Sequence, residues 1–123
     1  MVCPVDQRFP KSARLRKRSE YLLVQNQGRA VHSRAFVGVF LVEHDKDVRL
    51  GITTTRRLGD AVVRNRTRRL IREAYRHGII SLPAGTQLVI IAKRSAIGLP
   101  ARAVFEDLAL LGNRVRAATG DPA

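Results

Sequence analysis

Residues 64–76 read RNRTRRLIREAYR, with six arginines and one acidic residue. At 3.6 residues per turn, an α-helix sorts the side chains of this stretch onto two sides. The apolar side collects Val63, Thr67, Leu70, Ile71 and Ala74. The opposite side collects Arg64, Asn65, Arg68, Arg69, Arg72 and Arg76. The pattern predicts a helix that packs one side on a core and presents planar guanidinium donors, which suit phosphate oxygens, on the other.

The charge of the whole chain also favours a polyanionic partner. Its 123 residues have a formal net charge of +13, and 19 of the 23 cationic side chains are arginines. Self-repulsion of this size opposes compaction, and binding to a nucleic acid relieves it. Arginine favours bidentate and stacking contacts over simple neutralisation. A genome rich in arginine codons would account for part of the arginine excess, but not for its clustering.

The sequence predicts a cytoplasmic protein without membrane segments. Cys3 is the only cysteine, so the chain cannot form an internal disulfide or a zinc site built on paired cysteines. The first residues show no apolar signal-peptide core. The longest charge-free run, residues 78–92, is interrupted by Ser, Pro and Gly and is too short to span a bilayer.

Periodicity and turn residues predict an α+β fold, a two-layer α/β sandwich of order α-β-β-α-β-α. The predicted elements are a helix capped by Ser19 and ending at Gly28, strands over 36–42 and 48–54, the arginine helix from its Asp60 cap to Gly78, a buried strand over 87–92 and a helix over 100–117. The first two strands are expected to form an antiparallel hairpin. Residues 14–118 are expected to form one domain, between a flexible basic segment (1–13) and a flexible tail (119–123).

Several stretches together resemble the protein subunit of bacterial ribonuclease P. The most discriminating one is LGITTTRRLGDAVVRNR at 50–66, which continues through Arg76. The others are Phe9-Pro10, the RLRK at 14–17, the SEY at 19–21 and the LVIIA at 88–92. The similarity extends over roughly residues 9–116.

The resemblance implies a fold, a function and partners. The fold would contain a left-handed β-α-β crossover, against the general right-handed rule. The protein would be a monomer that joins one catalytic RNA, which carries the Mg²⁺, and helps to remove the 5′ leader from precursor tRNA. By position, contact with the catalytic RNA would fall to Arg64, Asn65, Arg66, Arg68, Arg69 and Arg72.

The family also binds the single-stranded leader in a cleft between the first helix and the sheet. The cleft residues implied here are Arg14, Tyr21, Gln25, Val39, Arg56 and Arg57. Tyr21 keeps an aromatic ring that can stack on a base. Gln25 stands where phenylalanine is common and Val39 where tyrosine is common, so polar and guanidinium contacts would replace some stacking. Phe36 and Phe40 share one strand face and are expected in the core.

The residues offer little for catalysis by the protein itself. A protein ribonuclease needs acid–base groups poised near neutral pH, and His32, His44 and His77 are scattered without an obvious pairing. The acidic turn at 43–47 is expected to be solvated rather than a metal site. Two other classes remain open from the residues alone: a structural, ribosomal-type RNA-binding protein, and a DNA-binding protein that inserts a helix into a major groove.

Overall fold

The computed structural model describes residues 14–15, 18–43, 47–55 and 58–119. Within these ranges lie three α-helices, a four-stranded sheet and a short 3-10 helix. In chain order the elements are α1 (Arg18–Gln27), β1 (Arg29–His32), β2 (Phe36–Val42), β3 (Arg49–Thr53), α2 (Ala61–Arg76), β4 (Thr86–Ala92), the 3-10 helix (Arg94–Ala96) and α3 (Ala101–Thr119). In the part of the chain so described, no helix is both long and apolar enough to cross a membrane.

The arginine helix, α2, forms as its sequence predicts. A side-chain oxygen of Asp60 accepts a hydrogen bond of 3.1 Å from the backbone N–H of Val63, which caps the first turn. The chain leaves the helix at Gly78, whose φ of +77° is unfavourable for other residues. The buried residues are Thr67, Leu70, Ile71 and Ala74. Both the cap and the apolar side are therefore confirmed. The Ser19 cap is wrong, because α1 already begins at Arg18.

The sheet has the strand order β1-β2-β4-β3, so the predicted hairpin of the 36–42 and 48–54 strands is wrong. Strand β4 lies between them, antiparallel to β2 and parallel to β3. Five successive residues of β4, from Thr86 to Ile90, are buried. A strand that is buried on both faces is most stable in the centre of a sheet, where neighbouring strands pair with both of its edges. The parallel β3–α2–β4 connection is present, and the hand of its crossover stays a prediction.

Strand β1 is an addition to the predicted order. It pairs antiparallel with β2, from Arg29 opposite Phe40 to His32 opposite Val37. The turn between the two strands is held from α3: Asp107 accepts hydrogen bonds from the Ser33 hydroxyl (2.7 Å) and from the Ala35 backbone N–H (2.9 Å). These contacts join residues more than 70 positions apart. The four residues of β1 have mixed polarity, so their sequence gives no strand signal. The strand is stabilised instead by contacts from the distant helix α3.

The α+β class is confirmed, but helices cover both faces of the sheet, which gives three layers where two were predicted. Helices α2 and α3 pack on the face that includes Leu88 and Ile90, and α1 packs through Val24 on the face that includes Val89. Phe36 and Phe40 are buried as predicted, and Leu108, Leu111 and Val115 of α3 are buried with them. The predicted flexible segment 1–13 lies outside the described residues, as does 120–123, and α3 includes Thr119.

Candidate nucleic-acid interface

The outward side of α2 carries four arginines and one asparagine, called here the arginine ridge: Arg64, Asn65, Arg68, Arg69 and Arg72. Asn65, Arg69 and Arg72 are exposed, while Arg64 and Arg68 are half-buried. Within the described part of the chain, Arg68, Arg69 and Arg72 form no hydrogen bond or ion pair. The buried side of α2 fixes the backbone, so these guanidinium groups form a positioned array of donors with no internal acceptor.

Two of the predicted RNA-binding arginines also contribute to the fold. The Nη2 of Arg66 donates a 2.9 Å hydrogen bond to the backbone carbonyl of Leu99, just before α3. The Nε of Arg64 reaches the carbonyl of Asp60 at 3.4 Å. Arg66 therefore lies on the flank of α2 nearer α3, away from the exposed row. Its position could not be read from the sequence, because its acceptor is 33 residues away.

The single carboxylate of α2 is neutralised within its own helix end. Glu73 pairs with Arg76 at 2.8 Å and with His77 at 3.1 Å. The hydrogen bond from Arg76 and the nearby His77 lower the pKa of Glu73, although partial desolvation opposes this shift. Arg76 is thereby occupied, whereas the ridge residues keep their charge uncompensated. The local potential along α2 is positive.

A hollow of about 220 Å³ opens at the outer edge of β3, called here the edge hollow. Its lining comprises Arg14, Leu15, Tyr21, Leu50, Ile52, Arg68 and Arg72. The backbone N–H of Leu15 donates to the carbonyl of Leu50 at 3.1 Å, which holds this segment along the edge strand. The structure thus brings two predicted leader residues, Arg14 and Tyr21, beside two ridge arginines. The predicted leader surface and the arginine ridge therefore share a border.

Contacts on β3 fix the position of Tyr21. Gly51 lies directly beneath the ring: a Cβ at this position would lie 2.7 Å from Tyr21 Cε1. Next to Tyr21 on α1, Glu20 forms a 2.7 Å ion pair with Arg49 of β3. This pair ties α1 to the edge strand and is partly buried. The sequence gave no signal for it, because the two residues are 29 positions apart.

The other predicted cleft residues do not line the edge hollow. Gln25 is exposed on α1, one turn after Tyr21. Val39 is half-buried and packs in the cluster beneath α1 that includes Leu15 and Val24. It contributes to packing at a position where the resemblance implied a ring. Arg56 and Arg57 lie outside the described residues.

The two histidines within the described residues lie on different elements. His32 is on β1, whereas His77 ends α2 and contacts Glu73; His44 lies outside the described ranges. Over those ranges, no three His, Cys, Asp or Glu side chains are grouped so that they could hold a metal ion. What this surface can do chemically is bind phosphates through its guanidinium groups and stack an unpaired base on Tyr21.

A family model and curated relatives both relate this chain to ribonuclease P proteins. A family model described as Ribonuclease P matches residues 9–116. The chain is 35% identical over 107 residues to the ribonuclease P protein component of Desulforapulum autotrophicum. This alignment covers 87% of this chain and 92% of the relative. It is 42% identical over 100 residues to that of Gluconacetobacter diazotrophicus, which covers 80% and 86%.

Solved structures show the same similarity. The RNase P protein from Thermotoga maritima superimposes with a TM-score of 0.74 at 30% identity, over 83% of this chain and 96% of that chain. The RNase P protein of Staphylococcus aureus gives a TM-score of 0.74 at 26% identity, over 89% and 96%. The similarity therefore spans the sheet, the helices and the arginine ridge together.

Proposed function

We propose that this chain, which belongs to the ribonuclease P protein family, is the protein subunit that helps a catalytic RNA to remove the 5′ leader from precursor tRNA. The observation that carries the proposal is the arginine ridge, in which Arg68, Arg69 and Arg72 have no hydrogen-bond acceptor in the described part of the chain. No acidic side chain of the described residues pairs with these three arginines, and a folded RNA supplies phosphate oxygens that can.

In this proposal the RNA performs the chemistry. The catalytic RNA holds the Mg²⁺ that activates water at the scissile phosphate, and the protein provides no catalytic residue. Arg64, Asn65, Arg66, Arg68, Arg69 and Arg72 bind the catalytic RNA. One protein monomer serves one RNA, and the complex acts in the cytoplasm, where precursor tRNA is made.

The edge hollow is the proposed seat of the leader. Tyr21 would stack on one unpaired base, while Arg14 and Arg68 lie beside it for the flanking phosphates. Gln25, Arg56 and Arg57 would extend this contact along the leader, and Val39 would support it by packing beneath α1. Because the hollow borders the arginine ridge, a single protein can hold leader and catalytic RNA side by side. Only the precursor has a leader, so this contact favours precursor over mature tRNA.

A structural RNA-binding protein would show a similar charge, but the comparisons do not favour it: the relatives named above are all ribonuclease P protein components. The deciding experiment is a cleavage assay on precursor tRNA with the catalytic RNA of the same organism. We expect no cleavage by the protein alone, and a lower Mg²⁺ requirement for the RNA when the protein is present. Cleavage by the purified protein, or no effect on the RNA, would refute the proposal.

Replacing Gly51 by alanine is expected to impair leader binding selectively. The added Cβ would collide with the Tyr21 ring, so the ring must leave its position and lose a stacking contact worth about 1–3 kcal/mol. The affinity of the holoenzyme for precursor tRNA should fall about fivefold or more, with the affinity for mature tRNA unchanged. Equilibrium binding of the two tRNAs measures this difference.

The matched control is Gly112→Ala on α3, where the nearest atom would be 3.6 Å from the new Cβ, an ordinary contact. This variant should bind both tRNAs as the unmodified protein does. If Gly51→Ala and Tyr21→Ala both kept the full preference for precursor tRNA, the edge hollow would not be the leader site.

A further inference from the structure

A second hollow lies on the opposite flank of α2, called here the flank hollow, with a volume of about 390 Å³. Its walls are the first turns of α2 and the segment that leads into α3. The lining residues are Val62, Val63, Arg66, Thr67, Ala96, Ile97, Gly98, Leu99 and Pro100. Its volume is within the range of about 300–1,000 Å³ that is typical of ligand pockets. No step of the proposed leader contact uses this hollow.

The rim of the flank hollow is unusually apolar for an exposed surface. Val62 is 76% exposed and Ile97 is 42% exposed, and they are two of the four large hydrophobic side chains exposed in the described residues. Both line the same hollow. Exposed apolar groups gathered around a concavity, next to polar surroundings, are typical of a binding site. A ligand in the hollow would cover the exposed side chains of Val62 and Ile97.

Arg66 is the charged residue that lines this hollow. Its Nη2 is held by the carbonyl of Leu99 at 2.9 Å, so part of the rotamer entropy of the side chain is already lost before any ligand binds. A guanidinium group has five N–H donors, and its plane stacks on nucleobases. A base can therefore stack on this plane with one face, while Val62 and Ile97 enclose its other face.

The charge around the flank hollow favours RNA over an apolar protein segment. No acidic residue lines it. Of the carboxylates at the two ends of α2, Asp60 is engaged in the helix cap and Glu73 pairs with Arg76 and His77. On α2, Arg66 is followed three positions later by Arg69, so the hollow opens beside the arginine ridge. A phosphate backbone that follows the ridge would place its own bases next to this opening.

We propose that the flank hollow receives an unpaired base of the catalytic RNA, which stacks on Arg66 and is enclosed by Val62 and Ile97. The inference rests on the proposed function, because the ridge must first bind that RNA. The two flanks of α2 would then have different ligands: a leader base enters the edge hollow, and a base of the catalytic RNA enters the flank hollow.

The test is the affinity of the full-length protein for the catalytic RNA after Val62→Ala and Ile97→Ala are combined. Affinity should fall about fivefold, because the base keeps Arg66 on one face but loses the apolar contacts that enclose its other face. The slope of log K against log salt should stay unchanged, because no phosphate contact is removed. Chemical modification of the RNA should show one unpaired base that the unmodified protein protects and the variant exposes.

Leu110→Ala on α3 is the matched control, since Leu110 is 40% exposed and outside the hollow. It should leave affinity and base protection unchanged, and thermal unfolding should show that both proteins are folded. Unchanged affinity and protection for the Val62/Ile97 variant would overturn the inference and leave the hollow to a protein partner. If the unmodified protein failed to bind the catalytic RNA, the proposed function itself would be wrong.

Discussion

Replacing Ile71 by aspartate is expected to unfold the domain. Ile71 is fully buried between α2 and the sheet, in the main core cluster. An aspartate there loses the apolar burial and places a carboxylate without a partner in the core. We expect a loss of more than about 4 kcal/mol in the free energy of unfolding, a large part of the roughly 5–15 kcal/mol typical of a domain.

Urea or thermal unfolding monitored by circular dichroism measures this effect. Two variants separate its causes. Ile71→Val keeps an apolar side chain and should cost only about 0.5–1.5 kcal/mol. Asn65→Asp puts the same carboxylate on the exposed side of the same helix and should change stability by no more than about 0.5 kcal/mol. A cooperative unfolding transition of normal stability for Ile71→Asp would show that this side of α2 is not the buried one.

Reversing two charges of the arginine ridge should weaken RNA binding without unfolding the protein, unlike the Ile71→Asp change. Arg69 and Arg72 are exposed, and neither has a hydrogen-bond or ion-pair partner in the described residues. The double variant Arg69→Glu/Arg72→Glu should weaken catalytic-RNA affinity by about a hundredfold or more at moderate salt. Each lost phosphate contact should also reduce the magnitude of the salt slope by about 0.7–0.9. Filter binding across a salt series measures both quantities.

The control variant must change the net charge of the protein by the same amount as Arg69→Glu/Arg72→Glu. Arg34→Glu/Arg102→Glu does so at two exposed positions on other elements, the β1–β2 turn and α3. This control should lose affinity only slightly, through the general field of the protein. If both doubles weakened RNA binding to the same extent, net charge rather than the ridge would explain the affinity.

Local sequence was sufficient to predict those features whose interactions form between residues close together in the chain. The Asp60 cap, the buried side of α2 and the end at Gly78 all follow from helical periodicity and from the properties of single residues. The core position of Phe36 and Phe40 follows in the same way from strand alternation. Each of these predictions is confirmed because its physical cause lies within one or two turns of chain.

The strand pairings could not be predicted in that way. A charged turn between two strands suggested a hairpin, but β4, which enters more than 30 residues after β3, separates them. Strand β1 has little intrinsic signal and depends on the turn that Asp107 of α3 holds. In both cases the energy comes from pairing and burial between distant segments, to which local propensity contributes little.

The sequence alone determined that one helix would be amphipathic, cationic on one side and apolar on the other, because these properties belong to residues spaced along 16 positions of chain. Tertiary structure alone decided what lies beside that helix. It placed Tyr21 and Arg14 at one flank and Ile97 at the other, and it used Arg66 to join α2 to the segment before α3. These neighbours come from distant segments, and only the packing of helices on both faces of one sheet brings them together.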